Sequence, residues 1–206
     1  MKKTGIGIAL LVIGLVAASF LLLNYRYTSS QTTQNSAVAS SRSGNSKEQN
    51  KLFSPAVTNV VVAGSSRLDS SLRAILSDWL YGVAGLGEVH FVEPDTIPAK
   101  APLLYIQIKE QNVRWTPVYS SASVLVEVAY AENGDVSFKD TDPVHFESGT
   151  KPGTLQFKGT YQLDDTSWGL MSLPGYQYYL TQSATATITK SISDQLKDGF
   201  VNPTAK

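Results

Sequence analysis

The feature that constrains this chain most is a charge-free apolar run from Ile6 to Leu23, 18 residues long. As a helix it spans about 27 Å, close to the roughly 30 Å hydrocarbon core of a bilayer. Lys2 and Lys3 precede it, and only Arg26 follows closely. Positive charge is retained on the cytoplasmic side, so this arrangement keeps the N-terminus inside and exports the rest. The sequence predicts a cytoplasmic N-terminus over 1–4 and a transmembrane signal-anchor helix over 5–23. The expected location is the cell membrane, single-pass, with the C-terminal domain extracytoplasmic. Tyr25 and Tyr27 suit the outer interface, where an amphipathic ring sits at headgroup level. A cleaved signal peptide is the competing reading. Its best small-x-small site, Ala17-Ala18-Ser19, leaves Phe20-Leu21-Leu22-Leu23 as an apolar new terminus. Either way the domain is exported.

Thr28 to Asn50 is rich in Ser, Thr, Gln and Asn and has almost nothing to bury. Such a segment does not offset its ordering entropy. It predicts a disordered tether over 24–52, with a root-mean-square span on the order of 25 Å. The remaining stretch, 53–206, is about 150 residues, enough for one domain with its own core. On this reading a chain starting near Lys51 folds alone. There are no cysteines, which removes disulfides, thiolate metal sites and a cysteine nucleophile. Net charge is zero, so no basic excess favours a nucleic-acid partner.

Val57 to Ala63 is apolar and β-branched and reads as a buried strand. Leu68, Leu72, Ile75, Leu76, Trp79, Leu80 and Val83 recur at three and four residues, as in an amphipathic helix. Gly82 or Gly85 suits its C-terminal cap. Val89 to Val92 is a short strand candidate. Leu104, Ile106 and Ile108 alternate with polar residues, as do Val124, Val126, Val128 and Tyr130, and later Leu155 to Leu163. Asn133-Gly134 is a hairpin signal that makes Val136 and Phe138 the start of a returning strand. Leu180, Ala184, Ile188, Ile192, Leu196 and Phe200 repeat every four residues and favour a final helix, although 184–189 also alternates like a strand. The fold class expected is α+β: an antiparallel or mixed sheet with two helices packed on one face, preceded by one transmembrane helix.

Few residues offer chemistry. Ser148 and Lys151 match an S-x-x-K acylase spacing, but Gly149, Pro152 and Gly153 favour a loop where that motif needs a helix. Asp140-Thr141-Asp142 lacks the glycine and glutamate of a calcium loop. His90, with Glu88 and Glu93 nearby, and His145 are the only histidines, and their spacing fits no metal motif. No catalytic residue, metal or cofactor is assigned. The segment Asp164 to Tyr176 reads as a long connector unusually rich in apolar side chains. Trp168, Leu170, Met171, Leu173 and Tyr176 are therefore the candidate partner-binding residues. A lid folded onto the core is the alternative.

The element order from Val57 to Phe200 is strand, helix, strands with a hairpin, strand, long helix. It resembles small extracytoplasmic accessory lipoproteins of envelope transport and assembly, the lipopolysaccharide-assembly lipoprotein among them. The resemblance implies a non-enzymatic partner with two helices on a sheet. This chain lacks their lipid-modified cysteine and carries an apolar helix instead. The function expected is thus a membrane-anchored extracytoplasmic binding or accessory module of a cell-envelope complex. A small extracytoplasmic hydrolase is the alternative.

Overall fold

Alternation decides the middle of the sheet. Leu104 and Ile106 on one strand face the same side as Val124, Val126, Val128 and Tyr130 on the next, and all are buried. The two strands, β4 (Leu103–Trp115) and β5 (Tyr119–Ala131), run antiparallel with Leu104 opposite Tyr130 and Ile106 opposite Val128. The structure is a computed structural model that describes residues 2–22, 25–39, 56–64, 67–83, 85–98, 100–140 and 155–201. Around this pair the sheet extends to β1 (Tyr25–Ala39), β2 (Val57–Ala63), β3 (Glu88–Phe91) and β6 (Gln156–Leu170). The order is β1-β6-β5-β4-β2-β3. It is a mixed sheet, because β2 is parallel to both β3 and β4 while the other pairs are antiparallel.

Two helices, α2 (Arg67–Leu80) and α3 (Leu173–Val201), supply Leu72, Leu76, Leu80, Tyr176, Leu180, Ile188, Ile192 and Leu196 to one continuous core with the sheet. The four-residue repeat from Leu180 to Leu196 is the buried stripe of the last helix, and it overrides the β-branched alternation at 184–189. α2 ends in a turn in which the Val83 N–H donates to the Leu80 carbonyl at 3.0 Å. The α+β class and the helix-covered face agree with the sequence.

A further helix, α1 (Lys2–Leu22), precedes the sheet. Ile6, Ile8, Leu10 to Ile13, Leu15 and Val16 on it are exposed. Its side chains are described only at 6–16 and Ala18. Among the described residues no helix is long and apolar enough to cross a membrane.

Three expectations differ from the structure. Residues 25–39, within the expected tether of 24–52, form β1, paired antiparallel with β6 from Tyr25 opposite Leu170 to Ala39 opposite Phe157. Composition reports the absence of a buried face, but an edge strand needs only backbone partners, and polar side chains suit an edge. Residues 40–52 lie outside the described residues. Second, Asn133-Gly134 forms a turn, yet Val136 starts no strand. The Asp135 N–H donates to Asn133 Oδ1 at 3.1 Å, and Ser137–Asp140 is a 3₁₀ helix. Both edges of β5 are already filled by β4 and β6, so no place is left for a returning strand. Third, the connector expected over Asp164–Tyr176 is two residues, Met171 and Ser172, between β6 and α3.

Gly134 is needed where it stands. Its φ is +79°, and a Cβ there meets the Ala101 carbonyl oxygen at 2.6 Å. Gly134→Ala is expected to cost about 1–3 kcal/mol, since left-handed strain and backbone overlap act together. A chemical-denaturation series comparing the two proteins checks it.

Candidate functional site

The five residues singled out in the sequence do not form one surface. Met171 and Tyr176 are buried, Leu170 and Leu173 are half-buried, and Trp168 is 53% exposed. The split follows from strand and helix phase. Along β6 the odd-numbered residues 157 to 167 face the helices and the even-numbered ones face the open side of the sheet. Trp168 falls in the open phase, opposite Tyr119 of β5, with ring centroids 4.7 Å apart. Tyr176 lies in the first turn of α3, on the stripe that faces the sheet.

Near Trp168 other exposed apolar side chains gather at the same end of the sheet. The β4–β5 turn carries Val118, and Tyr27 of β1 sits in a bulge between Arg26 and Thr28, whose partners on β6 are Gly169 and Trp168. The turn is fixed to β6: the Gly169 N–H donates to the Val118 carbonyl at 3.1 Å and the Met171 N–H to the Pro117 carbonyl at 3.2 Å. Trp115 is anchored by its indole N–H, which donates to the Met171 carbonyl at 2.9 Å.

Behind this surface lies a buried polar network that sequence reasoning missed. The side chain of Asp165 has no exposure, and Ser167 and Tyr176 are also fully enclosed. Asp165 Oδ2 accepts hydrogen bonds from the Ser167 hydroxyl at 2.9 Å and the Tyr176 hydroxyl at 2.9 Å. Burial, and then the bond to Asp165, push the Tyr176 phenol far above its ordinary range, so it remains a donor. Arg26 reaches in from β1. Its Nη2 lies 3.5 Å from Asp165 Oδ1 and donates to Ser167 Oγ at 3.0 Å. Its guanidinium carbon sits 3.4 Å from the centroid of the Tyr179 ring, a cation–π contact. A buried carboxylate requires such partners, because an isolated charge in low dielectric is strongly disfavoured. The network joins β1, β6 and α3. Its chemistry is that of a structural tie.

The remaining candidates stand apart. His90 Nε2 lies 3.0 Å from Glu88 Oε1 on the short edge strand β3, with both side chains more than half exposed. Glu93 is paired instead with Arg73 at 2.6 Å. Asp140 pairs with Lys139. Among the described residues no group of three or more His, Cys, Asp or Glu side chains is placed to hold a metal ion. Thr141, Asp142, His145, Ser148 and Lys151 lie outside the described residues. On the open face Glu127 is bracketed by Lys109 at 3.1 Å and Lys158 at 3.0 Å.

No family model matches the chain, and no curated protein does. Among solved structures the chain is similar to a PelC L103M dodecamer from Paraburkholderia phytofirmans. That match has a TM-score of 0.40 and 16% identity, covering 81% of this chain and 98% of the other. It is also similar to a neuraminyllactose-binding hemagglutinin homolog from Helicobacter pylori, at a TM-score of 0.35 and 12% identity, covering 71% of this chain and 88% of that one.

The exposed position of Trp168 makes a direct forecast. Trp168→Ala is expected to cost about 0.5–1.5 kcal/mol, the value of one aromatic pair, where a core tryptophan costs about 3–5 kcal/mol. A thermal melt separates the two ranges.

Proposed function

We propose that this chain is a membrane-anchored extracytoplasmic module, a non-catalytic accessory component of a cell-envelope complex. The observation that carries this reading is the join between helix and domain. Only Leu23 and Asn24 lie between α1 and β1, and β1 is paired into the sheet and tied by Arg26 to the buried Asp165. An apolar helix joined so closely to a folded domain suits a part held at the membrane surface. The 18-residue charge-free run supports insertion of the helix. The flanking Lys2 and Lys3 support an inside N-terminus. The element order that resembles accessory lipoproteins motivates the accessory role.

Two experiments test the reading. Fractionation of cells should leave the full-length chain in the membrane, with its domain open to protease added from outside. A soluble form beginning near Phe20 would reject the anchor. Crosslinking in intact cells followed by identification of the captured proteins should return the same envelope partners repeatedly. Hydrolytic activity that vanishes on His90→Ala would instead favour an enzyme.

A further inference from the structure

We infer that the end of the sheet nearest α1 is a lipid-facing foot, seated in the headgroup layer of the same bilayer that holds α1. This deepens the proposed function and rests on α1 being inserted. Three observations carry it.

The first is reach. Leu22 and Tyr25 are three residue steps apart, so the chain between them spans at most about 11 Å. Tyr25 and Arg26 pair with Leu170 and Gly169, and the β4–β5 turn is bonded to β6 at Gly169 and Met171. The turn is therefore level with the first residues of β1. If α1 ends at the outer boundary of the hydrocarbon, covalent geometry holds this end of the sheet close to it.

The second is chemistry. Tyr27 is 78% exposed, Trp168 53%, Val118 51% and Trp115 36%. Trp and Tyr combine an apolar ring with a polar edge and are enriched at the membrane–water interface. The third is charge. Neither 114–121 nor 166–174 contains an acidic residue, and Arg114 lies in the first segment. An anionic headgroup layer does not repel such a surface.

The chain carries its own reporters, since it has three tryptophans. Trp115 and Trp168 are at the foot. Trp79 is near the end of α2, which leads back to β3, whose Glu88 pairs with Val57 at the opposite end of the sheet. The test uses the full chain in phosphatidylcholine–phosphatidylglycerol vesicles whose lipids carry bromine near the top of the acyl chain. One variant, Trp79→Phe with Trp115→Phe, keeps only Trp168; another, Trp115→Phe with Trp168→Phe, keeps only Trp79. Flotation with the vesicles measures insertion separately from quenching. The foot requires the fractional loss of emission to be at least about two-fold larger for Trp168 than for Trp79, as expected of a ring at the interface. Equal quenching of the two in chains that float overturns the foot and leaves the surface to a protein partner. A chain that does not float overturns the anchor and the foot together. If a double variant fails to melt cooperatively, Trp168→Phe alone serves: it should lower the quenchable fraction of the emission, and an unchanged fraction overturns the inference.

Discussion

A chain truncated to begin at Lys51 is expected to lose its cooperative melt and to aggregate, while one beginning at Asn24 melts cooperatively and stays monomeric. Composition alone predicts the opposite, because 24–52 reads as a dispensable tether. The structure reverses this through β1. Removing it uncovers the edge of β6, a 15-residue strand, and a long unpaired edge is a template for pairing with other chains. It also removes Arg26, leaving the enclosed Asp165 carboxylate without its cation. Each backbone bond lost costs about 1 kcal/mol. An orphaned buried charge adds about 3 kcal/mol or more. Against the roughly 5–15 kcal/mol that hold a domain folded, a ladder of such bonds plus the charge is comparable with the whole. Size-exclusion profiles and thermal melts of the two truncations decide the matter. Coincident melts would show that β1 contributes nothing.

The parts of the fold that were legible in the sequence are those where burial and apolarity coincide. Leu104 and Ile106, Val124 to Tyr130, and the four-residue stripe from Leu180 to Leu196 each bury the residues that their periodicity marks. The candidate site was legible only in part, and β6 shows why. Its inward phase continues past Leu163, but the next two inward residues are Asp165 and Ser167. Polar residues in a buried phase read as a loop, so DDTSWGL looked like a connector. What makes them inward-facing is Arg26, far away in sequence, together with the Tyr176 hydroxyl. One signal was available: Trp168 stands an even number of residues from Lys158, in the outward phase of a strand. β1 was illegible for a related reason. Its stability resides in backbone bonds to β6, and those leave no mark on composition.

Arg26→Met is expected to destabilise the domain sharply, and adding Asp165→Asn to it is expected to restore part of the loss. The Arg26 side chain remains 24% exposed, so the cost belongs near the lower end of the usual range for breaking a buried pair, about 3 kcal/mol. In a domain of this size that corresponds to a fall in Tm of about 6–12 °C. The methionine keeps an unbranched apolar stem over Tyr179, so the loss reports charge more than packing. The second change then acts in the unusual direction. With Arg26 gone, Asp165 is a buried carboxylate held only by the Ser167 and Tyr176 hydroxyls. An asparagine there offers an amide oxygen to the same donors and carries no charge, so the double variant should regain about 1–2 kcal/mol over Arg26→Met alone. Asp165→Asn in the natural chain has the opposite sign, because it removes the partner of an Arg26 that stays in place. A double-mutant cycle measured by urea unfolding reads all four corners. Additive losses, with the double variant the least stable of the four, would mean that Arg26 and Asp165 are not coupled. The tie between the membrane-proximal strand and the core would then rest on the β1–β6 backbone ladder alone.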